Sequence, residues 1–400
     1  MSNLPKGWKL VQLNDIVKFS NGKGHEQYID DNGDYIVVNS KFISTNGEIC
    51  KYSNENLSPL KKGDITLVMS DIPNGRALAK CYLIEEDNKY TLNQRICSLE
   101  VKNENNEFLF YKLNRNQYFL KFNDGVNQTN LRKNEVLECP IELPPLEEQK
   151  KIADILSTVD KKIAFVEENI NATEELKKGL MQKLLTEGIG HTEFKDSELG
   201  RIPESWEVIK LEDCIIAKGQ YGINAAAVDF SEDLPRYLRI TDIDDSGKFI
   251  KENSKSVDTT EIDTFSLNEN DIVFARTGNT TGKTYLYDKK DGELIFAGFL
   301  IRFTPNQDIL DSRYLKLYTE TSDYWKWVKV MSTRTGQPGI NSNEYGKLPF
   351  KFPPLAEQKQ IAEILSTVDK KLENLKEKKQ SFEELKKGLM QKLLTGEVRV

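Results

Sequence analysis

The chain has 400 residues, 38% hydrophobic and 30% charged, with a formal net charge of −7, which is enough for two or three domains with ordinary cores and too large for a disulfide scaffold. No apolar run approaches the roughly 18 residues a membrane-spanning helix needs, and Met1 to Leu10 has neither an apolar leader core nor a cleavage site, so a cytoplasmic protein that does not engage a membrane is expected. Five cysteines without a CxxC pair and only two histidines, His25 and His191, argue for reduced, buried thiols and against a structural zinc site or a histidine-based triad.

In chain order, residues 1–143 carry short runs rich in Val, Ile, Tyr and Phe (Tyr35 to Val38, Ile65 to Met69, Gln94 to Val101) separated by Asn-Gly, Gly-Asp and Asp-Gly turns. This predicts a mainly β domain, with a helix near Phe108 to Phe122. Residues 144–186 change character. Pro144-Pro145 fits a helix start, and Ile152, Leu156, Val159, Ile163, Val166 and Ile170 alternate four and three apart before Leu180 and Leu184 resume the register of a coiled-coil seam. Residues 187–352 return to β runs (Tyr237 to Ile240, Ile272 to Ala275, Leu294 to Phe303). A helix is expected over Ser312 to Val330, with Tyr314, Leu317, Tyr318, Tyr324, Trp325 and Val328 on one face as core rather than as a base-stacking platform. Residues 353–400 carry a second seam: Ile361, Leu365, Val368, Leu372, Leu375, Phe382, Leu389 and Leu393. Polar Thr173, Lys177, Lys379 and Lys386 interrupt the two seams.

The fourth segment repeats the second. PPLEEQKKIADILSTVDKK (Pro144 to Lys162) returns as PPLAEQKQIAEILSTVDKK (Pro353 to Lys371), and EELKKGLMQKLLT (Glu174 to Thr186) returns unchanged as Glu383 to Thr395, with about 30 of 43 positions matching at an offset of 209. Weaker echoes pair Leu4 to Asp15 with Ile202 to Asp213, and GDITLVMS (Gly63 to Ser70) with NDIVFART (Asn270 to Thr277). The expected fold is α+β: two mainly β globular domains with some helix, separated by two long helices packed as an antiparallel coiled coil with pseudo-twofold symmetry. Pairing of each seam with a helix of another chain is the alternative.

Catalytic chemistry is hard to find. RTGNTTGKT (Arg276 to Thr284) spaces its glycines one residue too closely for a phosphate loop, and no DPPY or NPPY of an amino-methyltransferase occurs. Asp87, Glu100 and Lys102 can be drawn as a nuclease core, but such matches arise by accident in a chain this rich in charge. No catalytic or metal-binding residue is assigned.

What remains are turn-rich segments that set isolated Arg, Lys, Asn and Gln among small residues. Asn and Gln suit adenine, Arg and Lys suit guanine, and glycine N–H groups and hydroxyls suit phosphates. The same composition is also plain turn chemistry. The candidates for DNA contact are Lys23, Asn74, Arg76, Asn93, Gln94, Arg95, Gln128, Asn130 and Arg132 in the first domain, and Tyr221, Asn224, Arg276, Thr277, Lys283, Arg334 and Gln337 in the second. The acidic balance weighs against this reading, although global charge does not forbid a locally basic cleft.

The Leu-Pro-x-Gly-Trp opening, the two PPLxEQK blocks, the two EELKKGLMQKLLT blocks and the linker GIGHTEFKDSELGRIPESW (Gly188 to Trp206) together resemble the specificity subunit of bacterial type I restriction-modification systems, over essentially the whole chain. The resemblance implies two target-recognition domains reading a bipartite double-stranded DNA sequence, held apart by spacer helices that dock two modification subunits, with two restriction subunits joining for cleavage. RTGNTTGKT resembles the family's Arg-x-Gly-x-x-Gly loop, and Gln128 and Gln337 sit where the family has a Gln-centred loop. S-adenosylmethionine would be held by the methyltransferase partner, and ATP and Mg by the restriction partner. No cofactor is expected on this chain. Leu180, Met181, Leu184, Leu389, Met390 and Leu393 of the repeated block are the candidates for partner docking. The alternatives are the specificity subunit of a related type IIB-like enzyme, a self-sufficient DNA-modifying enzyme, and a coiled-coil scaffold that does not bind DNA.

Overall fold

A computed structural model of the chain describes residues 4–72, 75–333 and 337–400, so the candidates Asn74 and Arg334 lie outside the described residues. The chain divides into two compact units, Met1–Glu168 with Glu377–Val400, and Asn169–Lys376.

In the first unit Lys9–Gln12 pairs antiparallel with Pro140–Leu143, which zips the first strand of the β domain to its last. Between them lies an antiparallel sheet in the order Val17–Asn21, Ile96–Val101, Ile65–Val68, Cys81–Leu83. A second sheet runs Tyr52–Ser53, Tyr35–Val38, Tyr90–Leu92, its last pair parallel. The second unit repeats this plan. Glu207–Lys210 pairs with Pro349–Phe352, one sheet runs Gln220–Tyr221, Leu300–Phe303, Ile272–Ala275, Thr284–Leu286, and the other contains Lys255–Ser256, Arg236–Leu238, Leu294–Phe296, again with a parallel last pair. Ile65–Val68 and Ile272–Ala275 are buried at every residue because each is an interior strand of its sheet, which is why they read as unbroken apolar runs.

Three expected elements are divided in the structure. The helix over Phe108 to Phe122 is two helices, Asn106–Leu113 and Gln117–Leu120, parted where Arg115 takes a φ of 58° and Asn116 caps the next turn. The helix over Ser312 to Val330 breaks into Ser312–Tyr318 and Ser322–Met331, with the Thr321 hydroxyl capping the latter. Tyr314, Leu317, Tyr318, Tyr324 and Val328 are core as expected, but Trp325 is 42% exposed. The run Leu294 to Phe303 is two strands in different sheets, crossing at Ala297-Gly298-Phe299.

The seams are the long helices Leu146–Leu184 and Leu355–Leu393. In each unit a part of one runs antiparallel to a part of the other. Asp160 meets Lys386 at 2.5 Å and Glu167 meets Lys379 at 2.6 Å in the first unit, while Glu174 meets Lys376 at 2.8 Å and Lys177 meets Asp369 at 2.7 Å in the second. Partner numbers fall as helix numbers rise, the signature of antiparallel pairing. The lysines that interrupt the seam thus reach across it to carboxylates, fixing register more than adding stability, since such half-exposed pairs contribute little. Ile152, Leu156, Val159 and Val166 are buried in the first unit, and Ile170, Ile361, Leu365 and Leu372 in the second.

The repeated Glu-Gln of each helix start joins helix to β domain. Gln149 is fully buried, donating to the Pro144 carbonyl at 2.9 Å and accepting from the Asn105 amide at 2.9 Å. Gln358 does the same with Pro353 at 2.8 Å and Asp311 at 3.0 Å. The indole N–H of Trp8 donates to Glu148 at 3.2 Å, and that of Trp206 donates to Glu357 at 2.9 Å.

Candidate nucleic-acid interface

Each unit builds a cradle where the chain crosses between its two sheets, and the same backbone hydrogen bonds hold it in both. The Gly22 amide donates to Ile96 and the Gly222 amide to Leu300, each at 3.1 Å. Lys23 and Ile223 donate to Leu92 and Phe296 at 3.0 Å, and in return accept from Gln94 at 3.0 Å and Gly298 at 2.8 Å. The amides of Met69 and Arg276 donate to Arg95 and Phe299 at 3.0 Å. A Gln-headed segment closes each cradle: Leu131 donates to Met69 at 2.7 Å and Ile340 to Arg276 at 2.9 Å, with Asn130 opposite Ser70 and Gly339 opposite Thr277. Gly22 and Gly222 are required, because a Cβ on either would overlap the carbonyl oxygen of Asn93 or Ala297.

In the first unit these bonds gather Asn93, Gln94, Arg95 and Gln128 around a cleft of about 380 Å³, with Asn39, Ser40, Ser70 and Asp71 completing its wall. Gln128 Nε2 donates to Ser70 Oγ at 2.9 Å, and that hydroxyl donates to Asn130 Oδ1 at 2.6 Å. Gln94 Nε2 donates to Glu26 at 2.6 Å. Lys23 is exposed beside Asn93, its loop fixed by the buried His25, which bonds the Lys23 carbonyl and the Thr91 hydroxyl at 2.8 Å each. Asp71 accepts from the amides of Ala77 at 2.7 Å and Leu78 at 3.0 Å, which steadies the loop carrying exposed Arg76. The side chains of Arg76, Arg95 and Arg132 are exposed and make no hydrogen bond or ion pair among the described residues, so their charge is available to an anion.

In the second unit the Arg276 guanidinium lies 4.8 Å over the Tyr221 ring and donates to the Gly298 carbonyl at 3.4 Å. Tyr221 accepts from the Ser342 amide through its hydroxyl at 3.1 Å. Thr277 bridges Gly339, Gln337 lies against Gly278, and exposed Asn224 follows the cradle strand. Lys283 does not join this group. Its ammonium bonds Asp245 at 2.7 Å and the Ile243 carbonyl at 3.3 Å, beside a separate pocket with Trp325.

Two of the six partner-docking candidates are buried. Leu184 and Leu393 are 7% and 2% exposed, part of the cores of their own units, and Leu180, Met181, Leu389 and Met390 are half-buried against those cores. The four half-buried residues keep part of their surface open, and Met181 lines a groove with Gln182 and Leu185. The exposed apolar residues of the repeated block are Leu176 and Leu385, 52% and 49% exposed at equivalent positions. Asp87, Glu100 and Lys102 are spread over surface contacts: Asp87 accepts from the Lys62 amide, Glu100 pairs with Lys18, and Lys102 donates to the Asn14 and Asp15 carbonyls.

The sequence reading missed Asn39, Ser40 and Ser70, which carry no charge to single them out, and Phe299, which stands where Arg95 does. Asn21-Gly22 and Tyr221-Gly222 share only the glycine, and Leu92 to Ile96 matches Phe296 to Leu300 at no position, so the hydrogen bonds alone align the two cradles.

Comparison with known proteins agrees with this duplicated plan. The family model described as type I restriction modification DNA specificity domain matches residues 5–175 and 203–384. The chain is 30% identical to the type I restriction enzyme MjaVIII specificity subunit of Methanocaldococcus jannaschii, over 99% of this chain and 94% of that one. It is 21% identical to the EcoDI specificity subunit of Escherichia coli, over 90% and 80%. In fold it is similar to the type I restriction-modification S subunit of M. genitalium, with a TM-score of 0.64 at 15% identity, covering 98% of this chain and 97% of that one. A match to both halves of the sequence, each folded around the same cradle, places the chain in the family of type I restriction-modification DNA specificity subunits.

Proposed function

We propose that the chain is the sequence-reading subunit of a type I restriction-modification complex in the cytoplasm, that each unit reads one half of a bipartite duplex target, and that it performs no chemistry itself. The observation that carries this reading is the recurrence of one hydrogen-bonded cradle with different side chains in the two units: a fixed frame with variable contents is what two readers of unlike half-sites require. Two modification subunits dock on the repeated blocks, around exposed Leu176 and Leu385. They bring S-adenosylmethionine and methylate adenine at N6 after turning the base out of the duplex. Two restriction subunits, with ATP and Mg, join for cleavage. The acidic net charge is compatible with this scheme because partner subunits contribute phosphate-binding surface.

The test is a gel shift and methyl-transfer assay on genomic fragments with the chain alone, the modification subunit alone and both together. Specific binding and methylation by the pair, and no methyl transfer by the chain alone, is the expected result. Methyl transfer by the highly purified chain contradicts it.

A further inference from the structure

Arg95 and Phe299 occupy one position in the two cradles. Each is the last residue of the sheet-crossing turn, each gives its carbonyl to the first residue after an interior strand at 3.0 Å, and each is exposed, Phe299 at 57%. Their turns differ chemically from end to end: Asn93-Gln94-Arg95 is all hydrogen-bonding side chain, and Ala297-Gly298-Phe299 has none. An exposed phenyl alone means little. Phe299, however, projects from a turn pinned on both sides, by Gly298 to Ile223 at 2.8 Å and by Leu300 to Ala297 at 2.8 Å, and stands next to the Arg276–Tyr221 pair. The fold thus pins the backbone beneath an apolar side chain where its twin, with Arg95 at a φ of 68°, pins it beneath a guanidinium.

Resting on the reading of the two cradles as DNA-contacting surfaces, we propose that Arg95 and Phe299 are quasi-equivalent specificity-determining residues that read by opposite chemistry: Arg95 donates to the O6 and N7 acceptors of a guanine, and Phe299 packs on the 5-methyl group of a thymine in the major groove. Those are the base-edge features that suit a guanidinium and an apolar side chain, respectively. The second half-site therefore contains an A·T pair whose thymine methyl is required, and the first contains a guanine whose N7 is required.

The experiment uses the chain assembled with its modification subunits and its mapped methylation target. Each thymine is replaced singly by uracil, which lacks only the methyl group, and each guanine by 7-deazaguanine. Wild-type complex should lose about fourfold in affinity at one uracil in the second half-site, the value of one methyl-sized apolar contact, and Phe299→Ala should bind the thymine and uracil duplexes equally. Arg95→Ala should abolish the penalty of one 7-deazaguanine in the other half-site. Both side chains are exposed, and retention of the other half-site by each variant reports that it is folded. If wild-type and Phe299→Ala show the same thymine-to-uracil ratio throughout, or the second half-site has no thymine, the inference fails while the reading of the protein as a DNA specificity subunit stands. If the wild-type complex discriminates no sequence at all, that reading fails instead.

Discussion

Arg399 closes on Glu148: its Nε and Nη2 donate to the two carboxylate oxygens at 2.6 and 2.7 Å, tying the end of the chain to the start of the first long helix. The Trp8 indole shares that carboxylate. In the second unit Glu357 is served by the Ile189 amide and by His191 at 2.8 Å, and by Trp206. The linker after the first repeated block and the chain end after the second do the same work.

Acid should loosen the first of these closures. The Arg399 guanidinium, foremost, and the Trp8 N–H hold the Glu148 carboxyl below its usual value. A carboxyl depressed in the native state stabilises it fully above the unfolded pKa of about 4.3, and that contribution is lost as pH falls through the lower native value. Arg399→Ala should therefore lower the Tm of the first unit at pH 7 and narrow its gap from wild type as pH drops below about 4. Calorimetry at a series of pH values checks this, and a gap independent of pH would show that Arg399 acts by packing alone.

Replacing either buried glutamine should unlatch one β domain from its helix. Gln149→Ala strands the Asn105 amide and the Pro144 carbonyl, and a buried polar group left without a partner costs about 1–3 kcal/mol. Gln358→Ala should do the same to the second unit only. Hydrogen exchange by mass spectrometry would place the loss of protection at residues 104–109 in one case and 309–315 in the other.

Gly22→Ala and Gly222→Ala should each disable one cradle, because the added methyl meets backbone and cannot be relieved by a rotamer change. The expected outcome is a methylation motif that keeps one half-site and relaxes the other, read by sequencing modified adenines. A variant that retains both half-sites would mean that the cradle can open without consequence for reading.

Thiol chemistry should be confined to one residue. Cys81, Cys97, Cys139 and Cys214 are buried, and burial pushes the thiols of the last three up to about 12 and that of Cys81 higher than its ordinary value. Cys50 is half-buried. At pH 8 an alkylating reagent should modify Cys50 in the native protein and the other four only after unfolding, since the thiolate is the reactive form. Peptide mapping distinguishes the two.

The parts of this architecture written in local pattern were legible from the residues. Ile152 to Ile170 and Ile361 to Leu372 announce a seam because a heptad is a short-range rule, and Pro144-Pro145 and Pro353-Pro354 mark the helix starts within a residue. The sheet-crossing at Ala297-Gly298-Phe299 was not legible, because the run Leu294 to Ile301 has no polar side chain to mark a break and the choice of sheet is made by distant strands. Exact repetition of EELKKGLMQKLLT points to a shared partner, which makes Leu180, Leu184, Leu389 and Leu393 docking candidates. Leu184 and Leu393 turn inward because the β domain of each unit covers them, while Leu176 and Leu385 of the same blocks stay exposed. Of the candidate DNA residues, Asn93, Gln94, Arg95 and Gln128 are brought to one cleft, whereas Lys283, chosen for its charge among glycines, is held by Asp245.

The central claim is that two separate readers share one chain, and the most direct measurement is the methylation motif of a chimaera. Residues 1–143 are replaced by the corresponding domain of another family member with a known target, the protein is assembled with its modification subunits, and N6-methyladenine is mapped across a genome. The expected motif has one half-site exchanged for the donor's and the other unchanged. A motif altered in both halves, or in neither, would contradict it.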